Sequence, residues 1–246
     1  ILYFVADRTI SMAEGKKAER WLPIESNPEV MNSFLKKLGV PVDWEINDVF
    51  GLDPELLLML PQPVLALLLL FPITEKYESF AREQEAAMKD VAVSEELYYM
   101  KQTISNACGT VALMHAVINS VNSGQISLAE GPLKRFVEAT KTLTAEERAV
   151  RLEADDDICG AHDEAAREGQ TRAPDREDQV DYHFVCFVQV EGGLYELDGR
   201  KSGPILKGKC SPDTFLTDAA AACKEYMTRG PENINFTIVA LTAKMD

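Results

Sequence analysis

The run VLALLLLF, residues 64–71, carries no polar side chain and lies between Pro63 and Pro72. An apolar run this short, without alternation and bounded by prolines, reads as a strand covered on both faces; periodicity alone leaves a buried helical segment open. Such a strand needs a packed layer on each side. The apolar stretch before it, LLLML, is cut off by Pro61, Gln62 and Pro63. Neither piece reaches the roughly 20 apolar residues that a bilayer span requires, so no membrane helix is expected.

The rest of the chain supplies helices and further strands. NPEVMNSFLKKLG offers a helix with Asn27 as cap, Pro28 at the first position and Gly39 as terminator, with Val30, Phe34 and Leu38 on its inner face. DPELLLML repeats the device with Asp53 and Pro54. TEKYESFAREQEAAMKD places Tyr77 and Phe80 inward, and TAEERAVRLEA opens with a capping box of Thr144 and Glu147. LYYMK reads as a short strand. YHFVCFVQV (182–190), a turn at EGG and LYELDG read as a hairpin, and INFTIVALT (234–242) as a closing strand. A helix over about 212–229 carries Phe215, Ala219, Cys223 and Tyr226 on one face. Strands and helices mix without a regular alternation, which points to a sheet layered between helices rather than a doubly wound dinucleotide fold.

With 246 residues and no linker or repeat, one domain is expected. The formal net charge of −15 leaves no basic stripe for nucleic acid and favours basic partners. Five cysteines at irregular spacing, with no CxxC pair, indicate reduced thiols inside a cell. Residues 1–11 fit poorly with the rest of the chain and read as an appended extension; an edge strand through ILYFV is the competing reading. Residues 153–181 hold eleven acidic residues and three arginines and almost nothing large and apolar, the composition of a functional cover or a disordered stretch.

Chemistry concentrates in QTISNACGTVALMHAVINS, residues 102–120. Ser105 or Asn106 can cap a helix that holds Cys108 in its first turn, where unpaired N–H groups and the helix dipole stabilise a thiolate. A cysteine beside Val111, Ala112 and Leu113 is otherwise ordinary core. A thiol nucleophile needs an imidazole. His115 lies seven residues along the same helix, about 10 Å away, too far for proton transfer, and is expected to be structural. His162 and Cys159 alone are too few for a zinc site. His183, at the start of a rigid strand, is the best base. If Val190 pairs with Gly193, Val185 pairs with Asp198, and His183 and Asp198 share a face within side-chain reach. A slip of one residue would separate them. Asp181 is the competing orienter. Gln102 can donate to an oxyanion formed at Cys108.

QTISNACGT around the cysteine, DYHFVCFV around the histidine and LYELDGR around the aspartate resemble the ubiquitin C-terminal hydrolases, papain-like cysteine proteases with a Cys–His–Asp triad. RWLPIESNPEV, FGLDPELL, PVLALLLLFPIT and EGQTRAP extend the likeness from about Glu19 to the end. The resemblance implies an α+β papain-like fold, with a central antiparallel sheet of about six strands between helices, a knotted backbone, and a crossover loop over residues 153–171. It makes Cys108 the nucleophile, His183 the general base and acid, Asp198 its orienter and Gln102 the oxyanion donor. It further implies hydrolysis after the terminal glycine of ubiquitin, with NEDD8 as a competing substrate and small or flexible leaving groups. It implies a monomer without cofactor or metal, in the cytoplasm and compatible with the nucleus. A ubiquitin-binding protein with slow turnover, and an acyltransferase using the same Cys–His pair, are the alternatives.

Overall fold

A computed structural model describes residues 20–88, 91–170, 181–229 and 235–245. The extension expected over residues 1–11 therefore lies outside the described residues. In chain order the elements are α1 (Pro28–Leu38), β1 (Trp44–Asp48), α2 (Pro54–Leu57), β2 (Val64–Pro72), α3 (Glu75–Met88), α4 (Cys108–Asn122), α5 (Pro132–Thr140), α6 (Ala145–Glu153) and α7 (Asp156–Ala165). There follow β3 (Tyr182–Val190), β4 (Gly193–Leu197), β5 (Ile205–Lys209), α8 (Phe215–Arg229) and β6 (Thr237–Ala243).

The six strands form one antiparallel sheet in the order β1-β6-β2-β3-β4-β5. The apolar run is its centre. β2 pairs with β6 on one side and β3 on the other, and its side chains alternate between two cores. Ala66 and Leu68 join Phe184, Cys186 and Val188 of β3 against α4; Leu67, Leu69 and Phe71 join Val185 and Phe187 against α3 and α8. Burial on both faces is what removes the polar alternation from this strand's sequence.

The helix ends follow local chemistry. In α1, Asn27 Oδ1 accepts from the Glu29 N–H at 2.9 Å, and Gly39 closes the helix at φ +94°. Thr144 and Glu147 form the reciprocal capping box of α6. α4 is the internal helix. It is buried from Cys108 through Ser120, and it packs on β3 and β2. A helix apolar all round has no solvent face, and here it stands as a pillar under the sheet.

Three expectations need correction. LYYMK is not a strand: the Tyr98 N–H donates to Asn119 Oδ1 (2.8 Å), Met100 N–H to His115 Nε2 (3.1 Å) and Lys101 N–H to the Ala145 carbonyl (3.1 Å), so helix side chains and a loop take the bonds a sheet would have made. Within 153–171, read as crossover loop, residues 156–165 are helix α7. Asp155 caps it, and Ile158, Ala161, His162 and Ala165 are buried against the core. Residues 171–180 lie outside the described ones. Neither Ser105 nor Asn106 caps α4, because the N-cap position falls on Ala107, which has no side-chain oxygen.

Candidate active site

Cys108 is the first residue of α4, 9% exposed, at the floor of an open cleft of about 200 Å³ that Gln102, His183, Asn106, Tyr182 and Arg200 also line. Ala107 is the N-cap and makes no side-chain bond to the helix. Asn106 takes a left-handed backbone (φ +65°) and donates from Nδ2 to the Trp21 carbonyl at 3.1 Å, while Trp21 N–H donates to the Ser105 carbonyl at 3.0 Å. The residues before the helix thus hold the 20–24 segment. The N–H groups of the first turn have no carbonyl within the helix and face the thiol's end.

His183 enters from β3. The hairpin register is the one required: Val190 pairs with Gly193 and Cys186 with Leu197, across a turn in which Glu191 (φ +46°) and Gly192 (φ +80°) are both left-handed. Asp198 follows directly, and its Oδ1 accepts from His183 Nε2 at 2.6 Å. Asp181, the competing orienter, is exposed and gives its carbonyl to the Ile73 N–H at 2.7 Å. Asp198 is the partner that β3 and β4 present.

The electrostatics of the three groups are coupled. Burial opposes the charged form of His183, but the Asp198 carboxylate and the Cys108 sulfur outweigh it and raise the imidazole to about 9. Burial likewise pushes the Cys108 thiol up, and His183 more than offsets this, leaving the thiol below its usual value. Asp198 is pushed up by burial yet held well below the usual carboxylate range by His183 and Tyr77. This combination favours a thiolate beside an imidazolium.

Gln102 is tied to the same assembly. Its N–H donates to the Gly199 carbonyl at 2.9 Å, and its Nε2 donates to the Ile104 carbonyl at 3.2 Å. Gly199 has no room for a side chain: a Cβ there would stand 2.8 Å from Gln102 Cβ and 3.1 Å from its backbone nitrogen. The turn carrying Asp198 and the segment carrying Gln102 therefore lie in direct backbone contact.

The other histidines are fixed away from the cleft. His115 is fully buried, stacks on Tyr99 at 5.3 Å and is lowered by burial to about 4. His162 lies 2.7 Å from Thr110 Oγ1 and 2.7 Å from the Leu22 carbonyl. Among the described residues, no group of three or more His, Cys, Asp or Glu side chains is placed to hold a metal ion.

The supports of Asp198 come from residues that no motif in the sequence marks. Tyr77 Oη donates to its Oδ2 at 2.6 Å, Arg200 N–H to its Oδ1 at 2.9 Å, and Tyr99 Oη to its carbonyl at 2.8 Å. Beyond it, the Lys201 ammonium pairs with Glu196, both buried, and reaches Gln84 Oε1 at 2.5 Å. Only the inward placement of Tyr77 is visible in the helical spacing.

The pattern of the ubiquitin carboxyl-terminal hydrolase family 1 matches residues 21–228. This chain belongs to that family. A ubiquitin carboxyl-terminal hydrolase of Drosophila melanogaster is 47% identical over 91% of this chain and 97% of its own length. Ubiquitin carboxyl-terminal hydrolase 3 of Arabidopsis thaliana is 47% identical over 94% and 98%. Among solved structures, the Trichinella spiralis UCH37 catalytic domain bound to ubiquitin vinyl methyl ester superposes with a TM-score of 0.71 at 27% identity, over 95% of this chain and 99% of that one. The α+β papain-like fold of the family is the fold observed.

Proposed function

We propose that the protein is a cysteine deubiquitinase that hydrolyses the bond after the terminal glycine of ubiquitin. The observation that carries this reading is the aligned set: a depressed Cys108 thiol, His183 beside it, and Asp198 at 2.6 Å from the far imidazole nitrogen. With Nε2–H committed to Asp198, Nδ1 is the nitrogen left for sulfur. The Cys108 thiolate attacks the glycine carbonyl carbon. Gln102, in the lining of the same cleft, and the N–H groups at the start of α4 are the donors assigned to the oxyanion. His183 gives its proton to the leaving group as the C–N or C–O bond breaks, which leaves a thioester. It then takes a proton from water, whose oxygen displaces the sulfur and frees the carboxylate.

The acidic surface suits a tail with arginines before its two glycines. The recess next to the cleft, which shares Ile73 and Arg200 with it, is lined by Glu75, Glu78 and Asp181 and also by Arg82, with Glu78 paired to Arg200. Charge of this sign speeds encounter more than it fixes affinity. NEDD8, with a similar tail, would compete for the same groove. A binder with incidental turnover would suit a misaligned triad, and the geometry here favours the enzyme.

The test is steady-state release of a fluorophore from the ubiquitin C-terminus by the wild type and by Cys108→Ala. Robust turnover lost in the variant is expected. Tight ubiquitin binding without turnover in the wild type would replace the enzyme with the binder, and full activity in Cys108→Ala would overturn the site.

A further inference from the structure

The helix α3 is held to the protein in an unusual way. Of its fourteen residues only Tyr77 and Ala81 are buried, so little of its attachment is apolar. Its polar side chains instead follow the turn that begins at Asp198. Tyr77 reaches Asp198, Glu78 pairs with Arg200 at 2.7 Å, Gln84 accepts from Lys201 at 2.5 Å, and Glu85 accepts from the Ser202 N–H. Positions 77, 78, 81, 84 and 85 share one face of a helix, so one side of α3 grips Asp198, Arg200, Lys201 and Ser202 of the turn.

The contact at Tyr77 bears on chemistry. Asp198 is fully buried and its two oxygens are served differently. Among the described residues, Oδ1 accepts from His183 Nε2–H and the Arg200 N–H, and Oδ2 from the Tyr77 hydroxyl at 2.6 Å. The torsion that turns a carboxylate about its own axis is soft. A single-point hold through Oδ1 would leave the plane free to swing, and the hydroxyl supplies the second point. The ring of Tyr77 is itself fixed, 4.7 Å from Phe71 and 6.2 Å from Tyr226, and its N–H donates to Thr74 Oγ1 at 3.2 Å.

We propose that Tyr77 is a positioning residue, acting through Asp198 to keep Nε2 of His183 protonated and Nδ1 aimed at Cys108. This rests on the reading of Cys108, His183 and Asp198 as the reacting set. The charged and titratable groups around the carboxylate are His183 from β3, Tyr77 from α3, Tyr226 from α8, His115 from α4, Glu196 from β4, Tyr99, and Arg200 and Lys201 from the turn. Among the described residues, His183 and Tyr77 alone give the carboxylate a side-chain hydrogen bond. Loss of the hydroxyl frees the carboxylate plane to turn and loosens its aim at His183, so the imidazolium sits less well against the thiolate.

The test compares wild type, Tyr77→Phe, Asp198→Ala and the double variant in two assays. One is turnover of a ubiquitin C-terminal fluorophore; the other is the rate of Cys108 alkylation by iodoacetamide across pH, which needs no ubiquitin. Tyr77→Phe keeps the ring and its packing. It is expected to lower kcat about 10- to 100-fold with KM little changed, the range for a hydrogen bond to a charged group. It should also move the acid limb of alkylation to higher pH. In the Asp198→Ala background it should change neither quantity, because the group it acts through is gone. Equal losses in both backgrounds, or an unmoved alkylation limb, would show that the hydroxyl does not act through Asp198 and would overturn the proposal. Absence of turnover in the wild type would sink the substrate reading instead, and the alkylation profile would still decide the role of Tyr77.

Discussion

His183 Nε2 and Asp198 Oδ1 stand 2.6 Å apart although fifteen positions separate them in the chain, and a two-residue turn at Glu191 and Gly192 is what closes the gap. Because side chains alternate along a strand, a slip of one residue in this hairpin would put the two groups on opposite faces. The same contact sets the protonation of the site, with the carboxylate helping to raise His183 to about 9.

That value gives a pH dependence. The competent form needs Cys108 as thiolate and His183 as imidazolium, so kcat/KM should fall as pH rises through about 9. In Asp198→Ala the raising charge is gone, and the alkaline limb should move toward the ordinary histidine range while kcat drops by about 100-fold or more. Steady-state rates across pH measure both; an alkaline limb that stays in place would deny the coupling.

Gly199→Ala should disturb Gln102, against which the new side chain would press. The added Cβ would meet Gln102 Cβ at 2.8 Å and Val111 Cγ1 at 3.1 Å, and neither is the free end of a flexible chain. We expect about 1–3 kcal/mol of lost stability from overpacking. If Gln102 is an oxyanion donor, kcat should fall by about 10²- to 10³-fold; the rate of Cys108 alkylation, which needs no oxyanion, separates that loss from a shift of Asp198. Unchanged kcat would remove Gln102 from the reaction.

Legibility of the fold follows burial. β2, β3 and α4 stand at the centre, their apolar content is unmistakable in the sequence, and the hairpin register can be counted from its turn. β1 and β5 are edge strands of five residues, with Ile46 the buried centre of one and Ile205 the buried end of the other, so they leave no periodic signal. α7 escapes a sequence reading because its acidic residues face outward and its inner face is small, apart from Ile158 and His162. Cys108, His183 and Asp198 can be proposed from the sequence because each sits beside a turn, a strand start or a helix start, and Gln102 because of its distance in sequence from Cys108; the structure brings all but Asp198 to the lining of one cleft, with Asp198 behind His183. The supports of Asp198 are not, since Tyr77 and Tyr99 come from segments about 100 or more residues away in sequence.

His115 should make the fold acid-sensitive. It is buried and neutral, lowered to about 4, whereas in the unfolded chain it titrates near 6.5. Its contribution is complete above about 6.5 and is lost as pH falls from there to about 4, amounting to about 3 kcal/mol. His183, raised rather than lowered, loses its contribution only on the alkaline side. Urea unfolding of wild type and His115→Gln across this window checks the point. The variant should be less stable at neutral pH and should lose less between about 6.5 and 4; parallel losses would contradict it.

The buried pair of Lys201 and Glu196 predicts an asymmetry. Lys201→Met strands a fully buried carboxylate, with Lys207 only at 3.9 Å, and should cost about 3–5 kcal/mol. Adding Glu196→Leu should restore most of that, because the desolvated charge disappears with its partner. Denaturant midpoints of the single and double variants measure this. Equal damage in both would mean that the pair matters for packing and not for charge.

The most direct test of the site is covalent capture. The vinyl group of ubiquitin vinyl methyl ester accepts a thiolate, and mass spectrometry of the digested product locates the modified residue among the five cysteines. One equivalent of adduct on Cys108, absent in Cys108→Ala and slowed in Asp198→Ala, is the expected result. An adduct on another cysteine, or none in the wild type under conditions where it binds ubiquitin, would contradict the assignment of Cys108, His183 and Asp198 as the reacting set.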